Sequence, residues 1–187
     1  MGRVYLALIH APVYNKNGRV VATSITNLDL HDIARSAATY DVVRYYVIHP
    51  AEAQQALAKR IMGFWQEGYG AEYNPDRKEA FTRVQVVSTL DEVMAEIEQT
   101  EGQTPLRVAT DAREYVNSVS YTQMRKWIEE GEKPILLLFG TGWGLVQEEV
   151  AKADFILGPI FGPGVYNHLS VRSAAAIVLD RLRGRNI

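Results

Sequence analysis

Cysteine is absent from the 187-residue chain. That excludes disulfide scaffolds, thiolate-ligated zinc, iron–sulfur clusters and cysteine nucleophiles, and it fits a reducing compartment. No apolar run approaches the roughly 20 residues that a bilayer span requires. Met1 to His10 is too short and too weakly charged for a signal peptide, so a cytoplasmic protein is expected. An excess of one charge is also missing: 20 Lys and Arg stand against 22 Asp and Glu, a net charge of -2. A polyanionic partner would therefore have to be met by a local patch. The four histidines, His10, His31, His49 and His168, are far apart and form no HxxxH pair, so no metal site is expected. Neither a Gly-x-Ser-x-Gly elbow nor a Walker loop occurs, and there is no internal repeat and no Ser/Gly linker.

What is present is enough apolar material for a sizeable core: 47% of residues are hydrophobic and 22% charged. Short apolar runs recur at Arg3–Ile9, Val42–Ile48, Val84–Val87, Leu106–Ala109, Ile135–Phe139 and Phe155–Leu157, and these read as buried strands. Segments of helical period separate them, at Leu28–Thr39, Ala51–Gln66, Leu90–Glu98, Tyr121–Glu130 and Leu169–Arg183. Ser88 and Thr89 ahead of Leu90, and Ser120 ahead of Tyr121, supply capping hydroxyls, while Gly131 and Pro134 stop the latter helix. The alternation predicts an α/β fold with a mostly parallel sheet flanked by helices, in a single domain spanning 1–187.

The densest signal lies in the C-terminal third. The strand Ile135–Phe139 runs into Gly140-Thr141-Gly142-Trp143-Gly144-Leu145, where alternate glycines let the backbone approach a ligand closely. A dinucleotide loop, and with it a nucleotide-dependent oxidoreductase, is disfavoured. That fingerprint belongs on the first strand of a sheet, with an acidic residue about 20 positions later. A second irregular loop follows at Gly158-Pro159-Ile160-Phe161-Gly162-Pro163-Gly164, and Tyr166-Asn167-His168-Leu169-Ser170 opens the last helix. Taken singly, each is an ordinary strand-to-helix turn. Clustered at the ends of what read as neighbouring strands, they predict a pocket at the carboxyl edge of the sheet.

The order FGTGWGL, strand, GPIFGPG, then NHLSVRSAAAIVLDRL resembles the cofactor end of SPOUT-class S-adenosylmethionine-dependent RNA methyltransferases. The similarity extends through VYNKNGRVVATSITNLDLHDIARSAATY and YGAEYNPDRKEAF, so it covers essentially the whole chain, and it is closest to a family of small bacterial SPOUT proteins. The resemblance implies a C-terminal deep trefoil knot, S-adenosylmethionine as cofactor, an RNA substrate (tRNA or rRNA), a homodimer with the active site between subunits, and neither metal nor membrane. It places Gly140, Thr141, Gly142, Gly144 and Leu145 in one cofactor loop, Gly158, Ile160 and Gly164 in a second, and Asn167, His168, Leu169 and Ser170 in a third. Trp143 either faces the sulfonium charge or serves as an apolar plug or subunit contact. A non-catalytic partner of RNA that binds S-adenosylmethionine or a nucleotide on the same fold is the alternative.

For the nucleophile side, Asp29 to Ala37 resembles the stretch in which SPOUT ribose methyltransferases carry an Asn and, six positions later, a catalytic Arg. Arg35 stands at the Arg position and Asp29 at the Asn position. Asp29, His31 and Asp32 are the local proton acceptors, and Arg35 can hold a phosphate or stabilise developing charge. The competing reading is a helix N-terminus, with Asp29 as cap, Asp32 in the first turn and His31 solvated. Gly68 to Lys78 combines aromatics and bases suited to stacking on an unpaired nucleotide, or is a loop before a helix capped at Asn74 with Pro75 first. Asn17-Gly18 reads as a hairpin turn, with Lys16 and Arg19 giving it local positive charge. His10 and His49 each end a strand near the ligand edge, where a structural role is expected.

Overall fold

A computed structural model describes residues 2–185. Six of its strands coincide with the apolar runs: β1 (Val4–Ile9), β4 (Arg44–Ile48), β5 (Val84–Val87), β6 (Leu106–Thr110), β8 (Ile135–Gly140) and β9 (Phe155–Leu157). With the two-residue β7 (Ser118–Val119) they form one seven-stranded sheet in the order β5-β4-β1-β8-β6-β9-β7. Every pairing in it is parallel. The predicted Asn17-Gly18 turn closes a small separate hairpin, β2 (Val13–Tyr14) with β3 (Val20–Val21), and Gly18 has φ +70°.

Both faces of the sheet are covered, which is why its strands are apolar without alternation. Val4, Leu6 and Leu8 of β1 point into a core with Tyr45, Leu137, Phe139 and the helices α1 (Asn27–Thr39), α2 (Glu52–Gln66), α4 (Pro75–Phe81), α6 (Tyr121–Glu130) and α8 (Val171–Arg183). Tyr5, Ala7 and Ile9 point the other way, with Leu136, Leu138 and α5 (Leu90–Glu101). Thr26, Thr89, Ser120 and Ser170 accept hydrogen bonds from the second or third helical N–H as N-caps of α1, α5, α6 and α8. The last helix thus starts at Val171, because Ser170 is its cap, and the cap of α1 is Thr26 rather than Asp29. Three short helices escaped the periodicity or shortened a predicted loop: α3 (Gly68–Tyr73), α4 itself, capped by Asn74 with Pro75 first as expected, and α7 (Gln147–Ala151).

One expectation is corrected. The strands β8 and β9 that carry the two Gly/Pro loops are not neighbours, since β6 lies between them. The chain lays β1, β4 and β5 outward on one side, crosses to β6 and β7, and then inserts β8 beside β1 and β9 beside β6. The reversal of direction at β1 and β8 is a topological switch point, and the carboxyl ends of strands at such a point open a crevice.

Candidate functional site

That crevice is a cavity of about 1080 Å³. Its floor begins with β8, which delivers Phe139 and Gly140 to the edge. At Gly140 a Cβ would lie 2.5 Å from the Leu145 nitrogen, so the loop can fold back on the strand only with glycine there. Gly142 has φ +61°, and a Cβ on it would meet the Tyr14 carbonyl at 2.7 Å. The loop is laced to the hairpin: Trp143 N–H donates to the Tyr14 carbonyl (2.8 Å) and Tyr14 N–H to the Gly144 carbonyl (3.0 Å).

Of the predicted cofactor residues, Gly140, Thr141, Gly142, Trp143, Gly144, Gly158, Ile160, Asn167, His168, Leu169 and Ser170 all line this one cavity. Leu145 does not: it is fully buried in the core on the α5 face, bridged to Val13. Gly164 is exposed and lies outside the lining. Asn167 Nδ2 donates to the Ala112 carbonyl (2.8 Å), which ties the third loop to the segment after β6. Trp143 is 64% exposed at the mouth.

The nucleophile-side trio is divided. Asp29 lines the cavity, nearly buried, accepting from the Thr26 hydroxyl (2.6 Å) and Arg172 Nη1 (3.2 Å); Arg172 Nε also reaches Asp32 (3.3 Å). His31 and Arg35 are not in the lining. His31 points to the other side of α1, edge-on to Trp65 and Phe81, at centroid distances of 5.5 and 4.8 Å. Burial, and then the charge of Arg77, lower its pKa, so the solvated histidine of the helix-terminus reading is also corrected. Arg35 is exposed farther along α1. The helical repeat explains the split, because His31 and Arg35, four residues apart, share one face of α1 and Asp29 lies on the opposite one. In the Gly68 to Lys78 segment, Tyr69 and Tyr73 stack on each other at 5.8 Å, both more than 70% exposed, and Arg77 lies 4.2 Å over Trp65.

Several lining residues were missed. Because β6 sits between β8 and β9, its carboxyl end contributes Thr110, Asp111 and Arg113. Burial raises the Asp111 pKa, but the hydrogen bonds from Arg113 and Tyr115 outweigh it and leave the carboxyl below its ordinary value. The polar run Thr110-Asp111-Ala112-Arg113 directly after a buried strand was the available signal. Tyr14, Thr23 and Thr26 arrive from the hairpin region, and His10, expected near the ligand edge, lies on the floor, completely buried, its pKa lowered to about 4 by burial against the opposing pull of Asp29. Among the described residues no cluster of three or more His, Cys, Asp or Glu could hold a metal, and no helix is long and apolar enough to cross a membrane.

The dinucleotide reading lacks its setting here, since the glycine loop follows a central strand laid down late in the chain. Comparisons with known proteins point elsewhere. A family model described as SAM-dependent RNA methyltransferase matches residues 3–184. An uncharacterised protein of Aquifex aeolicus is 44% identical over 183 residues, covering 98% of this chain and 89% of that protein. A tRNA (guanine-N(1)-)-methyltransferase of Oleidesulfovibrio alaskensis is 44% identical over 181 residues; the match covers 97% of this chain but spans only 42% of that protein. Among solved structures, the SpoU methyltransferase AviRb from Streptomyces viridochromogenes, in complex with AdoMet, aligns with a TM-score of 0.60 at 17% identity, over 97% of this chain and 56% of that one. At that identity the likeness is one of fold.

Proposed function

The chain belongs to the SAM-dependent RNA methyltransferase family, and on that basis we propose that the cavity at the switch point holds the cofactor on its three C-terminal loops and presents it to a nucleotide of tRNA or rRNA. The observation that carries this is the convergence of eleven predicted cofactor residues from three separate loops on one cavity.

The residues fit such a cofactor. Phe139, Ile160 and Val178 offer apolar surface for an adenine ring, and Gly140, Gly142 and Gly144 line the cavity without side chains that would hold a ligand off. Asp111 is a carboxylate for its cationic or hydroxyl groups. When bound, the cofactor supplies a methyl group activated by a sulfonium. The chain must then orient the accepting nucleotide in line and take up one proton. Asp29, fixed by Thr26 and Arg172, presents the acceptor inside the cavity. Arg35, exposed on α1, serves the cavity of a second copy, where it holds a phosphate of the RNA. His31, turned away toward Trp65, drops out of the catalytic set.

This assignment requires a homodimer. Six exposed apolar side chains on or beside these loops support one: Leu28, Trp143, Phe161, Val165, Tyr166 and Leu169. A trefoil knot through the C-terminal strands is supported by the late insertion of β8 and β9 between strands already laid down. A single domain over 1–187 is supported by the one sheet that draws strands from both halves of the chain, and a cytoplasmic location by the lack of cysteine. The relative's name favours tRNA guanine as target. Nucleoside mass spectrometry of tRNA and rRNA from a deletion strain tests the proposal: one methylated nucleoside disappears and returns when purified protein and S-adenosylmethionine are added. An unchanged nucleoside profile would sink it.

A further inference from the structure

Two histidines lie buried side by side at the ends of β1 and β4, with ring centroids 6.2 Å apart, and they differ in one respect. His49 uses both ring nitrogens: Nε2 donates to the Thr23 carbonyl (3.1 Å) and Nδ1 accepts from Ala51 N–H (3.0 Å). His10 uses one. Its Nδ1 meets the Thr23 hydroxyl at 3.1 Å, while its Nε2 is buried without a partner in a residue that lines the cavity. Buried polar atoms in native proteins are nearly always satisfied, so an orphan on a cavity floor points to a group that arrives with a ligand.

The hydrogen bonds decide what that group is. The Ile9 carbonyl can only accept, so the Thr141 hydroxyl donates to it (3.1 Å). Thr141 then has no hydrogen left for its close contact with the Thr23 hydroxyl, and the single Thr23 hydrogen faces two acceptors, Thr141 Oγ1 and the His10 carbonyl (3.3 Å). With the Thr23 hydrogen committed, the remaining contact requires His10 Nδ1 to carry the proton. The chain runs Nδ1–H to Thr23, Thr23 to Thr141 or the His10 carbonyl, and Thr141 to the Ile9 carbonyl. It leaves Nε2 as a bare lone pair and locks β1 to the first residues of the glycine loop.

We infer that His10 Nε2 is a fixed hydrogen-bond acceptor on the cavity floor, which takes an N–H or O–H from the bound cofactor or from the target nucleotide. Burial keeps the ring neutral at physiological pH, so the lone pair stays available. As an acceptor it selects for ligands that present a hydrogen there, because a group with only lone pairs would face it in repulsion. This rests on the cavity being the cofactor and RNA site proposed above.

Nitrogen-15 NMR of histidine-labelled protein tests it, with calorimetry in parallel. In the free protein His10 shows the Nδ1–H tautomer with an unprotonated Nε2; the opposite tautomer overturns the inference. S-adenosylhomocysteine is then added, followed by bulk bacterial RNA. A shift of Nε2 at the first step assigns the donor to the cofactor, and a shift only at the second assigns it to the nucleotide. Binding by calorimetry with no shift at either step overturns the role of His10 alone, whereas absence of binding overturns the underlying site. Gln places a carbonyl oxygen near the position of Nε2, and Asn near that of Nδ1. The affinity concerned falls about tenfold in His10→Asn and less than about threefold in His10→Gln. Equal losses in two folded variants would make His10 merely structural.

Discussion

At Gly142 two constraints coincide: a backbone in the left-handed region and a Tyr14 carbonyl 2.7 Å from where a Cβ would sit. A branched side chain there must push the loop off the hairpin. Gly142→Val is therefore expected to weaken S-adenosylhomocysteine binding at least about 100-fold, while Arg35→Ala, on an exposed face of α1, keeps it within about threefold and loses turnover instead. Calorimetry beside single-turnover methylation separates the two, and parallel losses of affinity would contradict the roles assigned. His10 makes a different prediction. Its folded pKa is about 4 against 6.5 unfolded, so between these values the unfolded chain binds a proton that the folded chain refuses. The stabilising contribution is complete above pH 6.5 and is lost as pH falls, by roughly 2 kcal/mol between pH 7 and 5. Urea unfolding at both pH values should show this loss in the wild type and its reduction in His10→Gln; identical pH dependence in the two would contradict the buried neutral ring.

Between elements, the most consequential contact joins α1 to α8 across the cavity wall. Arg172 at the start of α8 holds Asp29 and Asp32 on α1, and Asp29 is nearly buried. Removing the guanidinium leaves a carboxylate with one hydroxyl partner in a low-dielectric site. Arg172→Ala is expected to cost about 2 kcal/mol in stability and to lower turnover by loosening the acceptor. Arg172→Lys, which cannot reach both carboxylates in one fork, should recover less than half of each. If denaturant midpoints and turnover both stay at wild-type values, the clamp carries neither function. The three C-terminal loops are fixed by comparable links, Trp143 N–H to the Tyr14 carbonyl, Gly158 N–H to the Val119 carbonyl (2.9 Å) and Asn167 to the Ala112 carbonyl, so the cavity is shaped before any ligand enters.

For the whole molecule, the separation of Arg35 from the cavity carries the dimer proposal. If each site combines the cavity of one copy with Arg35 of the other, two inactive variants can repair each other. Mixing equal amounts of Gly142→Val and Arg35→Ala under subunit exchange makes half the dimers mixed, and each of those has one intact site. Recovery should approach about one quarter of wild-type activity. No recovery, with mixed dimers verified by native mass spectrometry, would place Arg35 in its own copy's site or outside catalysis. Charge at this scale is balanced at the cavity, where Lys16 and Arg113 stand against Asp29 and Asp111 and Arg113 is paired with Asp111, so the proposed grip on phosphate falls to Arg35 of the second copy.

Local chemistry was legible in the amino-acid order. Apolar runs became the six longer strands because a sheet covered on both faces needs side chains buried both ways. Thr89 and Ser120 capped their helices, and Gly140 to Gly144 formed a close-approach loop, because each is decided within a few residues. Non-local pairing was not legible. Hydrophobicity says that a strand is buried, not which strand lies beside it, so the place of β6 between β8 and β9 emerged only in the fold, and with it Thr110, Asp111 and Arg113 in the cavity. The turn of α1 likewise decided that Asp29 enters the site while His31 packs on Trp65. His10 shows the same division: its position at a strand end was visible in sequence, whereas the free lone pair exists only because Thr23 and Thr141, far apart in the chain, meet beneath it and commit their hydrogens elsewhere.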